Sequence, residues 1–178
     1  QWGYMDYAFY NCNNMVGAYT DNPDTSLATG MYAAFRGCSN FNSPLTFDCS
    51  NLLHFYQTFF GCSILNSDLT FINTSNLTNV ANMFYACSAF NSNVNFDDTS
   101  NITTMSSMFR GCVAFNKPLN FDTSSVTDMS SMFRYSSLFN QDISGWNISS
   151  LTSATIMLQN TAFSTTNYDL LLPAWDAY

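Results

Sequence analysis

Apolar residues recur along this chain at a nearly constant interval of 24 to 26 residues. The clearest copies are Met83–Asn91 (M-F-Y-A-C-S-A-F-N), Met108–Asn116 (M-F-R-G-C-V-A-F-N) and Met132–Asn140 (M-F-R-Y-S-S-L-F-N). With the looser copies included, the pattern has seven anchor positions: Cys12, Cys38, Cys62, Cys87, Cys112, Ser136 and Thr161. A period of this length is typical of repeat proteins, in which each unit buries its apolar face against the next.

Each copy contains two apolar segments of different spacing. The first, such as Leu69-Thr70-Phe71, alternates apolar and polar residues and predicts a short strand with one buried face. The second is spaced i, i+3, i+6, i+7, as in Val126, Met129, Met132 and Phe133, and predicts about two turns of helix. The sequence therefore predicts an α/β fold, a leucine-rich-repeat-like solenoid of about seven coils over residues 1–163, each coil one short strand plus one short helix.

The burial of the phenylalanine that follows each repeated methionine tests this alignment of the coils. In the three clearest copies it is Phe84, Phe109 and Phe133. We expect all three side chains to be buried, with the apolar residues of the strand segments facing them.

The two ends of the array are expected to differ. Residues 164–178 form a predicted capping segment, in which Tyr168, Leu171, Leu172 and Trp175 have helix-like spacing and Pro173 interrupts any long helix. The opposite end is aromatic, and its predicted assembly residues, together with Trp175, are Trp2, Tyr4, Tyr7 and Tyr10. Either an upstream domain or a neighbouring subunit is expected to cover that surface, and a subunit added head to tail would give a filament or a closed ring.

Composition narrows the class of partner. Hydrophobic residues make up 47% of the chain, enough for a core, but charged residues only 9%. The net charge of −8 includes just four basic residues, which excludes nucleic acid and anionic membranes as expected partners. No apolar run reaches the roughly 20 residues that a membrane-spanning helix needs. A start at Gln1 rather than Met is expected of a mature or trimmed product.

Beyond the period itself, the repeated motif resembles a known family. The stretch F-N-Q-D-I-S-G-W-N at Phe139–Asn147, the M-F-x-G-C-x-x-F-N core and the ending S-T-T-N-Y-D-L-L-L-P-A-W at Ser164–Trp175 are similar to the BspA-like leucine-rich repeats of bacterial, mycoplasmal and protist surface proteins. The resemblance implies a repeat fold and an extracellular, cell-surface location. It brings no catalytic residues.

Equivalent residues of successive units would lie about 4.8 Å apart, so each repeated residue becomes a column of neighbours. The cysteine column is expected to be buried and holds either free thiols or one or two disulfides between adjacent units. Cys49 lies outside that column and is expected to be exposed. Zinc is not expected, because His54 is the only histidine.

A second column carries Asp or Asn in six units: Asp24, Asp48, Asn73, Asp98, Asp122 and Asn147. Stacked carboxylates are oxygen ligands that calcium prefers, so the four aspartates are a weak calcium candidate. The same residues equally form local turns by accepting backbone amide hydrogen bonds, and this second interpretation is favoured. No cofactor is predicted.

Further columns bear on binding. A column of asparagines (Asn42, Asn66, Asn91, Asn116, Asn140) is expected to satisfy backbone groups between units. Arg36, Arg110 and Arg134 share a position with aromatic residues and mark either a binding face or a solvated surface. The strand segments also present a regular row of polar side chains, which suggests the alternative function of a small-ligand or ice-binding module. The row consists of Thr46, Thr70, Asn95, Asn120 and Ser144.

Four N-x-S/T sequons, at Asn73, Asn76, Asn101 and Asn147, predict glycosylation in a eukaryotic or viral secretory route, with Asn101 the first choice. In a bacterial source they carry no meaning. His54 lies in an aromatic stretch and is expected to be a partly buried helix residue rather than a catalytic one. The sequence thus predicts a non-catalytic, secreted or cell-surface structural or adhesive protein whose partners are other proteins, copies of itself or N-linked glycans.

Overall fold

The computed structural model describes residues 4–16 and 22–177. Its regular elements are strands β1 (Leu45–Asp48), β2 (Leu69–Ile72) and β3 (Val94–Phe96), a short 3-10 helix at Thr74–Asn76, and helix α1 (Thr165–Trp175). The three strands form one parallel sheet in the order β1-β2-β3. All remaining described residues lie in isolated bridges, turns, bends and extended connections.

Parallel pairing joins each repeat segment to the next. Leu45 pairs with Leu69 and Leu69 with Val94, so equivalent positions of consecutive segments are neighbours. A second line of isolated parallel bridges links Gly30, His54, Asn79, Thr104, Asp128 and Ser153. The repeat period in the sequence is therefore the register of these hydrogen-bonded columns.

The predicted leucine-rich-repeat-like solenoid of about seven strand-plus-helix coils over residues 1–163 is wrong. The described chain has a sheet of only three strands, and its single α-helix lies at the C-terminal end. The alternation of strand and helix that defined each predicted coil is absent from the described residues.

The missing helices have a clear backbone cause. In the segment around Met132, alternate amides donate to the neighbouring segment, as in Ser131 N–H to the Thr155 carbonyl (2.9 Å). The intervening amides close local turns, as in Met132 N–H to the Met129 carbonyl (3.1 Å). An α-helix would use all these amides within the segment. Left-handed residues recur in these turns, including Ser131 (φ 58°) and Gly111 (φ 74°), and they prevent a continuous helix.

Two of the predicted strand segments also differ. Residues 119–121 and 143–146 contain no assigned strand, although the corresponding segments 45–47, 69–71 and 94–96 do. At the next segment Trp146 N–H donates to the Ile143 carbonyl (3.1 Å), which closes a turn around Gly145.

The apolar periodicity, in contrast, describes the core. Phe84, Phe109 and Phe133 are fully buried, as predicted. One phenylalanine column runs through the core with ring centroids 5.0 to 5.8 Å apart: Phe9, Phe35, Phe59, Phe84, Phe109 and Phe133. The apolar residues spaced i, i+3, i+6 and i+7 thus point into the core, although the backbone there is not helical.

Helix α1 ends the chain. Ser164 caps it by accepting a hydrogen bond from Asn167 N–H (3.2 Å). Leu171 is buried and Trp175 packs against the core, whereas Tyr168 and Leu172 are half exposed. The helix also continues through Pro173 instead of stopping there. Across the described part of the chain, no helix is both long and apolar enough to span a bilayer.

Candidate functional site

The cysteine column is a column of thiol hydrogen bonds. All six cysteines are free, and four of the column's thiols each donate to the carbonyl of the core phenylalanine one segment earlier. Examples are Cys87 to Phe59 (2.9 Å) and Cys112 to Phe84 (2.9 Å). Ser136 continues the pattern with its hydroxyl on the Phe109 carbonyl (2.6 Å).

Burial makes these thiols unreactive. Desolvation raises the pKa of Cys38 to about 11 and that of Cys49 to about 12. It also raises the pKa of Cys62, Cys87 and Cys112 well above the usual thiol range. A thiolate is the reactive form, so none of these five is a candidate nucleophile. Cys49 was expected to be exposed and is instead buried, because its side chain points into the core at a position that other segments fill with threonine. Cys12 is exposed.

Five of the six members of the Asp/Asn column form side-chain turns, and Asn73 is the exception. An oxygen of each aspartate accepts the amide of the serine two residues later, at 2.9 to 3.1 Å: Asp24–Ser26, Asp48–Ser50, Asp98–Ser100 and Asp122–Ser124. Asn147 makes the same bond to Ser149 (3.0 Å). The described residues contain no group of three or more His, Cys or Asp side chains that could hold a metal ion. These hydrogen bonds are the ones that the turn interpretation predicts.

These bonds make the Asp column sensitive to acid. The Ser124 side chain and backbone amide, which both hydrogen bond to the carboxylate, lower the pKa of Asp122. A lowered folded-state pKa stabilises the protein above the unfolded value of about 3.9, and this contribution disappears as the pH falls through the folded-state pKa. We expect Asp122→Asn, whose amide oxygen can replace the acceptor as Asn147 does, to lose less stability than the parent between about pH 4 and pH 2.

Urea unfolding at several pH values measures this difference. Asp122→Ala is the matched variant, because it removes the acceptor and should lower stability at pH 7 as well. Equal acid sensitivity of the parent and Asp122→Asn would contradict the assignment.

The asparagine column joins the segments to helix α1. Each amide oxygen accepts the backbone N–H of the equivalent residue one segment later, as in Asn140 N–H to Asn116 (2.9 Å). The last of these bonds runs from Ser164 N–H to Asn140 (2.8 Å), and Asn167 donates to the Asn140 side chain as well (2.9 Å). The asparagines of the column are exposed or half buried.

Arginine and aromatic side chains interleave along another edge. The Arg36 guanidinium lies 4.4 Å from the Phe60 ring centroid, Phe60 stacks on Tyr85 at 4.4 Å, and Arg110 lies 5.1 Å from Tyr85. Tyr135 then lies between Arg110 (6.0 Å) and Arg134 (4.7 Å). Cation–π contacts of this kind explain why arginines and aromatics share one repeat position.

The other predicted sites all reach the surface. Asn73, Asn76 and Asn101 are exposed and Asn147 is half buried, but the side-chain nitrogens of the first three donate to Asp48, Ser50 and Ser75, respectively. The polar row is exposed or half buried at each of its positions, Thr46, Thr70, Asn95, Asn120 and Ser144. His54 is half buried and lies in an isolated bridge rather than in a helix.

Tyrosines dominate the first repeat segment. Tyr4 is 79% exposed, and Tyr7 and Tyr10 are about half exposed. Trp2 lies outside the described residues. Behind this edge lies an apolar cavity whose lining includes Phe9, Met15, Phe35, Phe41 and Leu45. At the opposite end Trp175 is half buried, with its indole nitrogen enclosed and without a hydrogen-bond partner among the described residues.

Comparison with known proteins places the chain in a family. The model of the family described as "Mycoplasma protein of unknown function, DUF285" matches residues 4–120 and 92–177. This chain belongs to that family. Searches of curated proteins and of solved structures found no match.

Across the family match, one group of residues departs from the repeat and was missed by sequence reasoning. One column has larger side chains in its first three segments, namely Asp6, Tyr32 and Tyr56. In later segments the same column contains the small residues Ala81, Ser106, Ser130 and Thr155. His54 lies beside it in the neighbouring column. The signal available in the sequence was the change from large to small residues at one repeat position.

Proposed function

We propose that this chain is a non-catalytic extracellular structural or adhesive protein of the BspA-like type, which presents a surface for contact with other proteins, copies of itself or glycans. The observation that carries the proposal is the exposed tyrosine edge of the first repeat segment. Tyr4, Tyr7 and Tyr10 are all at least 43% exposed, and aromatic residues are enriched in protein interfaces.

The two ends of the chain support association of copies head to tail. The C-terminal end carries helix α1, with Leu170 and Leu172 about half exposed. The first segment offers tyrosine rings and backbone groups in the same parallel register that joins all later segments. Contact between unlike ends is heterologous, so it propagates as a filament unless the rotation closes a ring.

Sedimentation velocity over a range of protein concentrations tests the proposal. We expect concentration-dependent association of the parent chain. Tyr4→Ser should weaken this association about tenfold, because an exposed aromatic anchor contributes on the order of 1.4 kcal/mol or more to an interface.

Ile64→Ser is the matched control, because Ile64 is 46% exposed but lies in a turn away from both ends. It should leave association unchanged. A parent chain that stays monomeric at every concentration, or equal weakening by both variants, would overturn the head-to-tail arrangement.

A further inference from the structure

The residues that break the repeat converge on one surface pocket. A depression of about 300 Å³ is lined by Asp6, Tyr32, His54, Tyr56 and Asn79. Asp6, Tyr32 and Tyr56 belong to one column, and His54 and Asn79 belong to the column beside it. Positions that maintain the fold repeat in every segment, so a local cluster of exceptions needs another explanation.

The chain makes room for this cluster. The His54 imidazole lies over Gly30, and a Cβ atom at Gly30 would come within 2.2 Å of the ring. Any other residue at position 30 would displace the histidine. His54 Nδ1 is buried and has no hydrogen-bond partner among the described residues. Buried polar atoms are nearly always paired, so this nitrogen is an exception that maintaining the fold does not explain.

The polar groups around the pocket are mixed in kind. Asp6 accepts the Tyr32 backbone amide with one carboxylate oxygen (2.8 Å), so its second oxygen is available as an acceptor. Asn79 accepts the Ala81 amide with its side-chain oxygen (2.9 Å), so its NH₂ group is available as a donor. Acceptors and donors side by side suit a ligand that carries many hydroxyl groups.

The arrangement of the aromatic rings favours a sugar over a cation as the ligand of this pocket. Tyr32 and Tyr56 stack on each other with centroids 5.3 Å apart and planes 15° apart, so they do not form the cage of ring faces that a quaternary ammonium prefers. In the described chain, Tyr32 is the one ring that stacks on Tyr56. The next residue of the column is the small Ala81, so no second ring continues the stack on that side, and Tyr56 lines the pocket.

We infer that this pocket binds a neutral saccharide, with one pyranose ring packed on Tyr56 and its hydroxyls held by Asp6, His54 and Asn79. The inference rests on the proposed contact function and names its glycan partner class. A β-linked glucose unit is the test ligand, because its equatorial hydroxyls leave the ring faces flat and apolar. Anionic sugars are disfavoured by Asp6 and by the net charge of −8.

Ligand-observed NMR titration of the full chain with cellotriose tests the site. We expect saturable binding with a Kd on the order of 0.1–1 mM, since an open pocket with few polar contacts gives modest affinity. Tyr56→Ala should weaken binding at least tenfold, whereas Tyr56→Phe, which keeps the ring, should stay within about threefold. Ser106→Ala, two segments along the same column, is the matched control and should bind as the parent does.

Thermal unfolding of each variant separates misfolding from loss of the site. Lack of cellotriose binding by the parent, or undiminished binding by folded Tyr56→Ala, would overturn the inference. Binding of tetramethylammonium in place of cellotriose would overturn it in favour of a cation site. Self-association that persists without saccharide binding would leave the head-to-tail proposal intact, and saccharide binding by a permanent monomer would overturn only the assembly.

Discussion

Phe84→Ala is expected to lower the free energy of unfolding by about 3–5 kcal/mol, the usual range for deleting a buried phenylalanine ring. Phe84 is fully buried and its ring lies 5.6 Å from Phe59, 5.5 Å from Phe109 and 4.4 Å from Phe90. The neighbouring segments are fixed to each other by parallel hydrogen bonds, so they cannot close the cavity without breaking those bonds. The measured loss of stability should therefore include both the lost burial of the ring and the cost of the cavity that it leaves.

Urea unfolding followed by circular dichroism measures the change. Leu138→Ala is the control, because Leu138 is 56% exposed and its truncation should change stability by less than about 0.5 kcal/mol. A loss below about 1 kcal/mol for Phe84→Ala would mean that the phenylalanine column does not form the core.

Thr99→Val should lower the free energy of unfolding by about 1–3 kcal/mol, although the two side chains have nearly the same shape. The buried Thr99 hydroxyl donates to the Asp122 carbonyl (3.1 Å) and accepts the Asp122 amide (2.8 Å). Valine would leave both backbone groups without this partner, next to the turn that Asp122 forms with Ser124.

Thr103→Val is the same substitution at an exposed position. The Thr103 hydroxyl donates to the Thr78 carbonyl (3.1 Å), which also accepts the Thr103 amide (2.9 Å), so the carbonyl remains paired when the hydroxyl is lost. We expect a change within about 0.5 kcal/mol, again by urea unfolding. Comparable losses for the two variants would show that the Thr99 hydroxyl has no special role between segments.

The sequence by itself determined which residues are neighbours and which are buried. Repetition at 24 to 26 residues predicts columns, and Phe109, Cys112 and Asp122 each lie in the column expected of them. Burial follows from the apolar pattern because every segment must hide the same positions against its neighbours. The Asx turns follow from local chemistry, since an aspartate reaches the amide two residues later without any tertiary help.

Only the tertiary structure decided the backbone conformation and the chemistry of the non-repeating residues. Apolar spacing near Met129 and Met132 is compatible with a helix, but the amides there donate to the next segment, and this competition between local and inter-segment hydrogen bonds has no signature in apolar periodicity. Cys49 takes the core position that Thr25 and Thr74 take in their segments, although its place outside the cysteine column suggests exposure. Likewise, Asp6, Tyr32 and His54 are separated by more than twenty residues at each step. They meet in one pocket only because parallel pairing brings the first three segments into register.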